Sequence, residues 1–578
     1  MRSNKATNSL RASILVLIGI LICGYVVNAQ VTTPGGEYFI HGIYTPTIAN
    51  AQKIDLRPEP IDTIMPDIPV TYEMIPAKAE VPARVDSIDP AKLSVLATQT
   101  RLYKGYVKGG FGLYTTPLGE LYFNSTRSRK NAYGVHVKHL SSNGGIGDVG
   151  PSDYSFNNAD AFYTHFLRKH EITGRVIYDR RRITYYGYDE LTDSILNIQN
   201  ITPRSDDDLK QIYNDIGFAG NVSSMYSDSS KISHDIDLEA HSYSNLSGSS
   251  EFNLRIGAAL GMTQGSETYG LGVLIDNNAY RREFGSGIVQ LRQNGTLIGL
   301  TPTVTTSGEK YLVRVGAGMY VDAMGKTTFH FYPNAYLHYR LFDDILVPYI
   351  GVEGAKLRNS FRSLTRENPF LNGAPLLANS NKLYDLYGGL RGSFTSELGF
   401  DVRISQRNID DMPLFVNNPN PPFGDQLAVV YEKVSIFNVS GTLHFHTKEA
   451  WDVHARIDVS SYKTEFQQEA WNLPPYQFAL GANYNIRNKL ILKAEVLLLG
   501  RRPAKFEESI FIGNNLVPFS NQVELDAFLD LYIGAEYRYT KRLSVFLDLS
   551  NISLSKYERW YRYPVQRGLV LGGFTYAF

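Results

Sequence analysis

The sequence predicts an all-β chain: a transmembrane antiparallel β-barrel of about 22 strands (roughly 18 to 24), preceded by a Pro-rich, non-globular segment. Three observations carry that reading. Apolar and polar residues alternate with period two from near Tyr103 to Phe578. The connections between alternating runs switch between short and long. Beyond the first thirty residues, no stretch approaches the roughly 18 apolar residues that a spanning helix needs.

Residues 1–29 read as a signal peptide that is removed. A basic start (Arg2, Lys5, Arg11) precedes "SILVLIGILICGYVV", and "VNAQ" places small Ala29 at the cut. The run is short for a membrane anchor. Cys23 follows Ile22, not the small residue that lipidation requires, and it is the single cysteine of the 578-residue chain. Its loss with the leader would leave no disulfide and no thiolate metal site. Within residues 30–97, the stretch "LRPEPIDTIMPDIPVTYEMIPAKAEVPARVDSIDPAKL" (56–93) is rich in Pro and acidic residues, which favours extended chain in the periplasm. Scattered Ile, Val, Tyr and Met leave two readings open, a solvated tail or a segment partly occluding a lumen.

The barrel is assigned to residues 98–578. In "WDVHARIDV", Trp451, Val453, Ala455, Ile457 and Val459 alternate with Asp452, His454, Arg456 and Asp458. In "KISHDIDLEA", Ile232, Ile236 and Leu238 oppose Ser233, Asp235, Asp237 and Glu239, with His234 an exception on the apolar side. "LGFDVRISQR" sets Phe400, Val402 and Ile404 against Asp401, Arg403 and Arg407. A soluble sandwich also alternates, but it stops after seven to nine strands. This pattern runs for about 475 residues, which requires a closed barrel or a propeller to dispose of strand edges. No blade-length repeat is present. Short turns such as "RKHE", "LFDD", "IRNK" and "YTKR" alternate with long connections such as "SSNGGIGDVGPSDYS", "RSLTRENPFLNGAPLLANSN" and "GRRPAKFEESIFIGNNLVPFSNQ". Turns on one rim and loops on the other point to an outer-membrane barrel with both termini periplasmic.

Apolar positions then face lipid and polar positions line the lumen. The expected lumen-lining residues are Asp235, Asp237, Glu239, Asp401, Arg403, Arg407, Asp452, His454, Arg456 and Asp458, with Arg180, Arg181 and Arg182 supplying further positive charge. Opposed charged stripes would set a transverse field that filters polar solutes; mutual pairing of the charges is the alternative. Tyr185, Tyr186, Tyr188, Tyr537, Tyr539, Tyr557 and Tyr561 are expected in interfacial girdles.

Other motifs give less. "GIGDVG" (145–150) fits a phosphate-loop pattern but lies between two strands, without the helix a dinucleotide site requires. His330, His338, His444 and His446 sit at strand spacing without a third ligand nearby, which favours lining roles over a metal. No Ser, His and Asp set is singled out by spacing, so neither an enzyme nor a cofactor is expected. The 57 basic and 57 acidic residues balance, which gives no electrostatic footprint for nucleic acid. In "VLGGFTYAF", Phe574, Tyr576 and Phe578 alternate on the apolar face of the last strand, as an insertion signal for barrel-assembly machinery would.

The stretch "PAKLSVLATQTRLYKGYVKGGFGLYTTPLGELYFNSTRSRKNAYGVHVKHLSSNGG", with "ILVPYIGVEG" (345–354) and "RENPFLN" (366–372), resembles Bacteroidota outer-membrane proteins labelled TonB-dependent receptor-like. The resemblance covers most of 70–578 and implies about 22 strands, in line with the strand count. It departs in showing neither a plug-like sequence nor an energy-coupling box, so a porin-like passive or gated conduit for polar solutes is expected instead. The alternative is a non-conducting subunit of an outer-membrane assembly or export machine. Expected partners are outer-membrane lipid and lipopolysaccharide, the assembly machinery, and other outer-membrane or periplasmic proteins.

Overall fold

The computed structural model describes residues 102–187, 206–284, 289–342, 345–417, 425–447, 450–512 and 515–578. The expected signal peptide, the Pro-rich segment and Tyr188 lie outside the described residues. The first strands are β1 (Gly105–Gly112), β2 (Thr116–Asn124), β3 (Asn131–Ser142), β4 (Tyr154–Phe166), β5 (His170–Thr184), β6 (Lys210–Ser224), β7 (Ser233–Asn245), β8 (Ser249–Gln264) and β9 (Glu267–Phe284). There follow β10 (Val289–Ser307), β11 (Tyr311–Met324), β12 (Lys326–Tyr339), β13 (Leu346–Leu357), a helix α1 (Phe361–Glu367), β14 (Ser380–Ser393), β15 (Leu398–Asn417), β16 (Leu427–His446) and β17 (Trp451–Thr464). The last are β18 (Tyr476–Ile486), β19 (Leu490–Leu499), β20 (Arg502–Ile512), β21 (Asn515–Leu525), β22 (Phe528–Arg538), β23 (Leu543–Ser550), β24 (Glu558–Trp560), β25 (Tyr563–Pro564) and β26 (Leu569–Ala577).

Successive barrel strands pair antiparallel, and β1 pairs with β26 from Tyr106↔Ala577 to Gly112↔Leu571, closing a 22-stranded sheet. The seam is tied at its end: Lys104 and Gly105 donate their amides to the Phe578 carbonyl (2.9 and 3.0 Å), and Phe578 N–H returns to Gly105 O (2.9 Å). Closure leaves no free edge at the seam, which is what a sheet of this length requires. The β20–β21 and β24–β25 pairs stand outside the barrel sheet. The run "GRRPAKFEESIFIGNNLVPFSNQ", expected as a loop, is thus mostly a hairpin. The long-loop rim also carries tight turns, since Gly325 alone, at φ +72°, joins β11 to β12.

Period two sets the faces. Val135 and Val137 on β3, Val176 and Tyr178 on β5, and Ile216 and Phe218 on β6 are exposed on the outer surface. Their neighbours His136, Asp179 and Asp215 make polar contacts on the inner wall. The same rule corrects the expectation for the arginine run, because three consecutive residues cannot share a face. Arg181 reaches the inner-wall Asp179 (3.1 Å), whereas Arg182 pairs with Asp153 in the β3–β4 connection (2.8 Å).

The β12–β13 ladder is unusually short. It runs only from Asn334↔Glu353 to His338↔Tyr349, a window bracketed by Pro333 on β12 and Pro348 on β13. Proline has no N–H to give a ladder. Toward the long-loop rim, β12 is paired with β11 alone, through Met324↔Lys326. There β13 passes a bulge between Glu353 and Ala355 and continues with β14.

Candidate functional site

The connection between β13 and β14 folds into the barrel. Its sequence, "RNSFRSLTRENPFLNGAPLLAN" (358–379), encodes nearly two helical turns. Ser360 caps α1, accepting from Ser363 N–H while Ser363 Oγ accepts from the Ser360 amide. Asn368 ends it, and Pro369 prevents continuation. Phe361 and Leu364, one turn apart, therefore point the same way and are buried.

What they meet is aromatic. Phe361 packs against Tyr213, Tyr243 and Tyr280, with centroids 6.4, 5.6 and 5.3 Å away, on β6, β7 and β9. Phe370 stacks on Tyr563 at 3.6 Å and meets Tyr186 edge-on. Leu371 and Leu377 complete a core with Ile183, Tyr185, Leu209, Phe415 and Leu427. Tyr185 and Tyr186, expected in an interfacial girdle, therefore belong to this interior core. Tyr557 stacks on Phe528 at 3.7 Å and Tyr561 meets Phe506, both at the long-loop end, whereas Tyr537 and Tyr539 are exposed. The difference follows from the rim: residues past a strand's end on the long-loop side are free to fold over the lumen, whereas Tyr537 and Tyr539 lie at the short β22–β23 turn.

Polar groups fix the loop at both ends. Glu251 on β8 accepts the Phe361 and Arg362 amides (2.6 and 3.2 Å), placing a carboxylate on free N–H groups of the first helical turn. Asp215 on β6 accepts from Arg362 (2.6 Å), Arg366 (2.9 Å) and His241 Nδ1 (2.9 Å). Tyr213 donates to Pro369 O (2.7 Å), Tyr280 to Gly373 O (3.0 Å) and Tyr185 to Leu371 O (3.2 Å). Leu371 pairs with Leu427 as a parallel bridge to β16. At the loop's start, Arg358 reaches Asp276 (3.2 Å) and Gly295 O (3.1 Å). At its end, Asn379 donates to Asp322 (2.9 Å). Apolar packing, tyrosine–carbonyl hydrogen bonds and ion pairs together hold the loop from Arg358 to Asn379.

The expected lining residues lie elsewhere on the inner wall, in two separate groups. On β7, Asp235 and Asp237 both accept from Asn221 Nδ2 (2.6 and 2.8 Å), and Glu239 faces Ala219 and Arg255 across its ladders. On β15, Asp401 accepts from Tyr349 (2.5 Å), and Arg403 donates to Asp385 (2.9 Å) while stacking on Tyr387. Arg407 pairs with the same Asp385 at 3.6 Å. On β17, Arg456 pairs with Asp458 (3.1 Å), His454 stands opposite His444, and Asp452 lies 4.0 Å from His446. The basic residues of this wall are met by acids on their own or adjacent strands. Asp385, which joins Arg403 and Arg407, was missed in the sequence, as were Asp215, Glu251 and the whole inward loop. The available cue was Ser360-Phe361 with Leu364 three positions on, a helix signature inside a nominal loop.

Two other features sit at the rims. In the "GIGDVG" loop, Lys556 binds Gly147 O (2.7 Å) and Asp148 (3.0 Å), and its hydrogen bond holds the Asp148 carboxyl below the usual range. The loop runs between β3 and β4, so no helix follows it. At the seam, Phe574, Tyr576 and Phe578 are exposed on the outer face. Among the described residues, no three His, Cys, Asp or Glu side chains stand close enough to hold a metal.

No protein-family profile matches the sequence, and no curated protein matches it. Solved structures do. The ferripyoverdine receptor of the outer membrane of Pseudomonas aeruginosa matches with a TM-score of 0.61 and 11% identity, over 83% of this chain and 72% of that one. The FrpB iron transporter from Neisseria meningitidis matches with 0.61 and 10%, over 83% and 82%. The copper transporter OprC matches with 0.58 and 11%, over 83% and 81%. At this identity the likeness establishes a shared barrel fold.

Proposed function

We propose that this chain is an outer-membrane transport barrel, a conduit for polar solutes gated by residues 358–379. The observation that carries it is the loop itself: a named segment seated inside a 22-stranded barrel on aromatic and ionic contacts. A barrel this wide leaves an aqueous lumen unless something fills it. The exposed apolar outer face suits a bilayer and the charged inner wall suits water. The named neighbours include an iron transporter and a copper transporter. We carry over transport across an outer membrane, and the cargo stays those proteins' own.

In this reading both chain termini lie on the periplasmic side, the long connections face outward, and Phe574, Tyr576 and Phe578 present the insertion signal. The test is planar-bilayer recording of the full chain and of a variant with 359–378 replaced by a short Gly-Ser linker. The variant is expected to show steps at least several-fold larger than the parent's. An inserted, folded variant that stays electrically silent overturns the conduit and leaves the scaffold subunit, for which stoichiometric copurification in mild detergent is the check.

A further inference from the structure

The open stretch of β12 edge asks for an occupant. From Pro333 back to Lys326, nothing among the described residues continues the ladder on the β13 side. Phe329 and Phe331, on the outer face of this stretch, are 81% and 72% exposed, more than any other large apolar barrel-strand residue among those described. With Ile298, Leu300 and Met319 they flank an apolar groove of about 330 Å³. An open strand edge presents unpaired N–H and C=O groups, a template for pairing with another strand.

The chain that would naturally lie there has been drawn inward. Past the bulge, Lys356 is buried against Asp322 on β11 (3.5 Å), so this part of β13 passes on the lumen side of β12. Arg358 then reaches Asp276 on β9. Gly354 sits at the point of departure, where a Cβ would lie 2.7 Å from both the Leu383 carbonyl oxygen and the Tyr332 ring. Extending the observed register outward would set Pro333 opposite Gly354, Phe331 opposite Lys356 and Phe329 opposite Arg358.

We infer that residues 354–358 have two docking places, the lumen contacts seen here and the open β12 edge, so that the loop's departure from the lumen zips the barrel wall. This rests on the gated-conduit reading and deepens it. The wall edge would compensate β13 with ladder hydrogen bonds for the ion pairs it gives up. Lys356 and Arg358, turned to the outer face with their stems over Phe331 and Phe329, would carry their charges to headgroup level near the long-loop rim, which makes the gate two-state. A second copy of the chain is a poor occupant. Two strands tilted about 40° and related by an axis along the membrane normal cross at roughly twice that angle, too steep for a ladder.

The test uses the full chain with Cys23→Ser, in lipid nanodiscs. The Gly373 Cβ position lies 3.4 Å from Ser247 Cβ, close to disulfide geometry, so oxidised Ser247→Cys/Gly373→Cys locks the loop in place. Asp215→Asn releases it. Release is expected to slow hydrogen exchange at amides 327–332 by about tenfold or more. It is also expected to let Phe331→Cys/Lys356→Cys form a disulfide that the locked chain does not form. Equal exchange in locked and released chains with no cross-link overturns the inference. So does an edge already protected while the loop is locked, as a strand from a partner protein would make it. Cross-linking in a barrel that never conducts would retain the two-place strand and remove the conduit.

Discussion

Asp215 and Arg362, 147 positions apart, are joined by a 2.6 Å hydrogen bond between a fully buried carboxylate on β6 and a helix that enters the barrel from the β13–β14 connection. The same carboxylate oxygen accepts from Arg366 (2.9 Å) and the other oxygen from His241 (2.9 Å). One acidic side chain thus ties the loop to the wall.

Asp215→Asn keeps the volume and removes the charge, taking the acidic partner from Arg362 and leaving Arg366, among the described residues, only Asp179 at 3.4 Å. Breaking one side of a buried pair costs about 3–5 kcal/mol. Both arginines here are partly exposed, which puts the expected loss toward the low end. Limited proteolysis should cut the variant within 358–379 at a protease concentration that spares the parent.

The Ser247→Cys/Gly373→Cys pair gives the reversible counterpart. Oxidised, the variant should hold single-channel activity at the parent's level in the presence of agents that open the parent; reduced, it should respond as the parent does. Conductance independent of redox state would mean that the loop does not control the lumen.

Glu558, in the β24–β25 hairpin, has its carboxyl raised by burial, while its Oε2 accepts the Arg562 amide (3.0 Å). A raised acid binds its proton more tightly folded than unfolded. Its docking is therefore favoured at low pH and weakens as pH rises from the ordinary Glu range through the raised value. Glu558→Gln should flatten that dependence, with a higher melting temperature than the parent at pH 7.5 and little difference at pH 4.

On the outer face of β26, Phe574→Ser, Tyr576→Ser and Phe578→Ser combined should lower the amount of folded barrel in the outer membrane several-fold. The wall hydrogen bonds at Gly105 use backbone alone, so a barrel that does form should close normally. Heat-modifiable mobility on gels separates the two outcomes; undiminished levels would remove the signal role.

The sequence made the wall legible because a strand's facing is local: Val135 and His136 differ by one position and so face opposite ways, whatever lies far off. The strand count followed from the same regularity. The inward loop was not legible, since Phe361 finds Tyr213, Tyr243 and Tyr280 only after β6, β7 and β9 are in place. Tyr185 and Tyr186 misled for the same reason, as Tyr-rich strand ends look alike whether they face lipid headgroups or fold over a lumen. The pairing of Arg403 and Arg407 through Asp385 needed the β14–β15 register, which alternation alone does not supply.

The seam at Phe578 and Gly105 also governs the order of assembly. The first barrel strand finds its second neighbour only when the last has arrived, so nearly the whole barrel must be synthesised before the sheet closes. Through that interval β1 presents an unsatisfied edge, the kind of template on which misassembly starts. In the outer-membrane reading proposed above, an escort that keeps such a chain from aggregating would have to outlast translation itself. Its release should be timed by the docking of one final strand, and not by the gradual folding of the twenty-one before it.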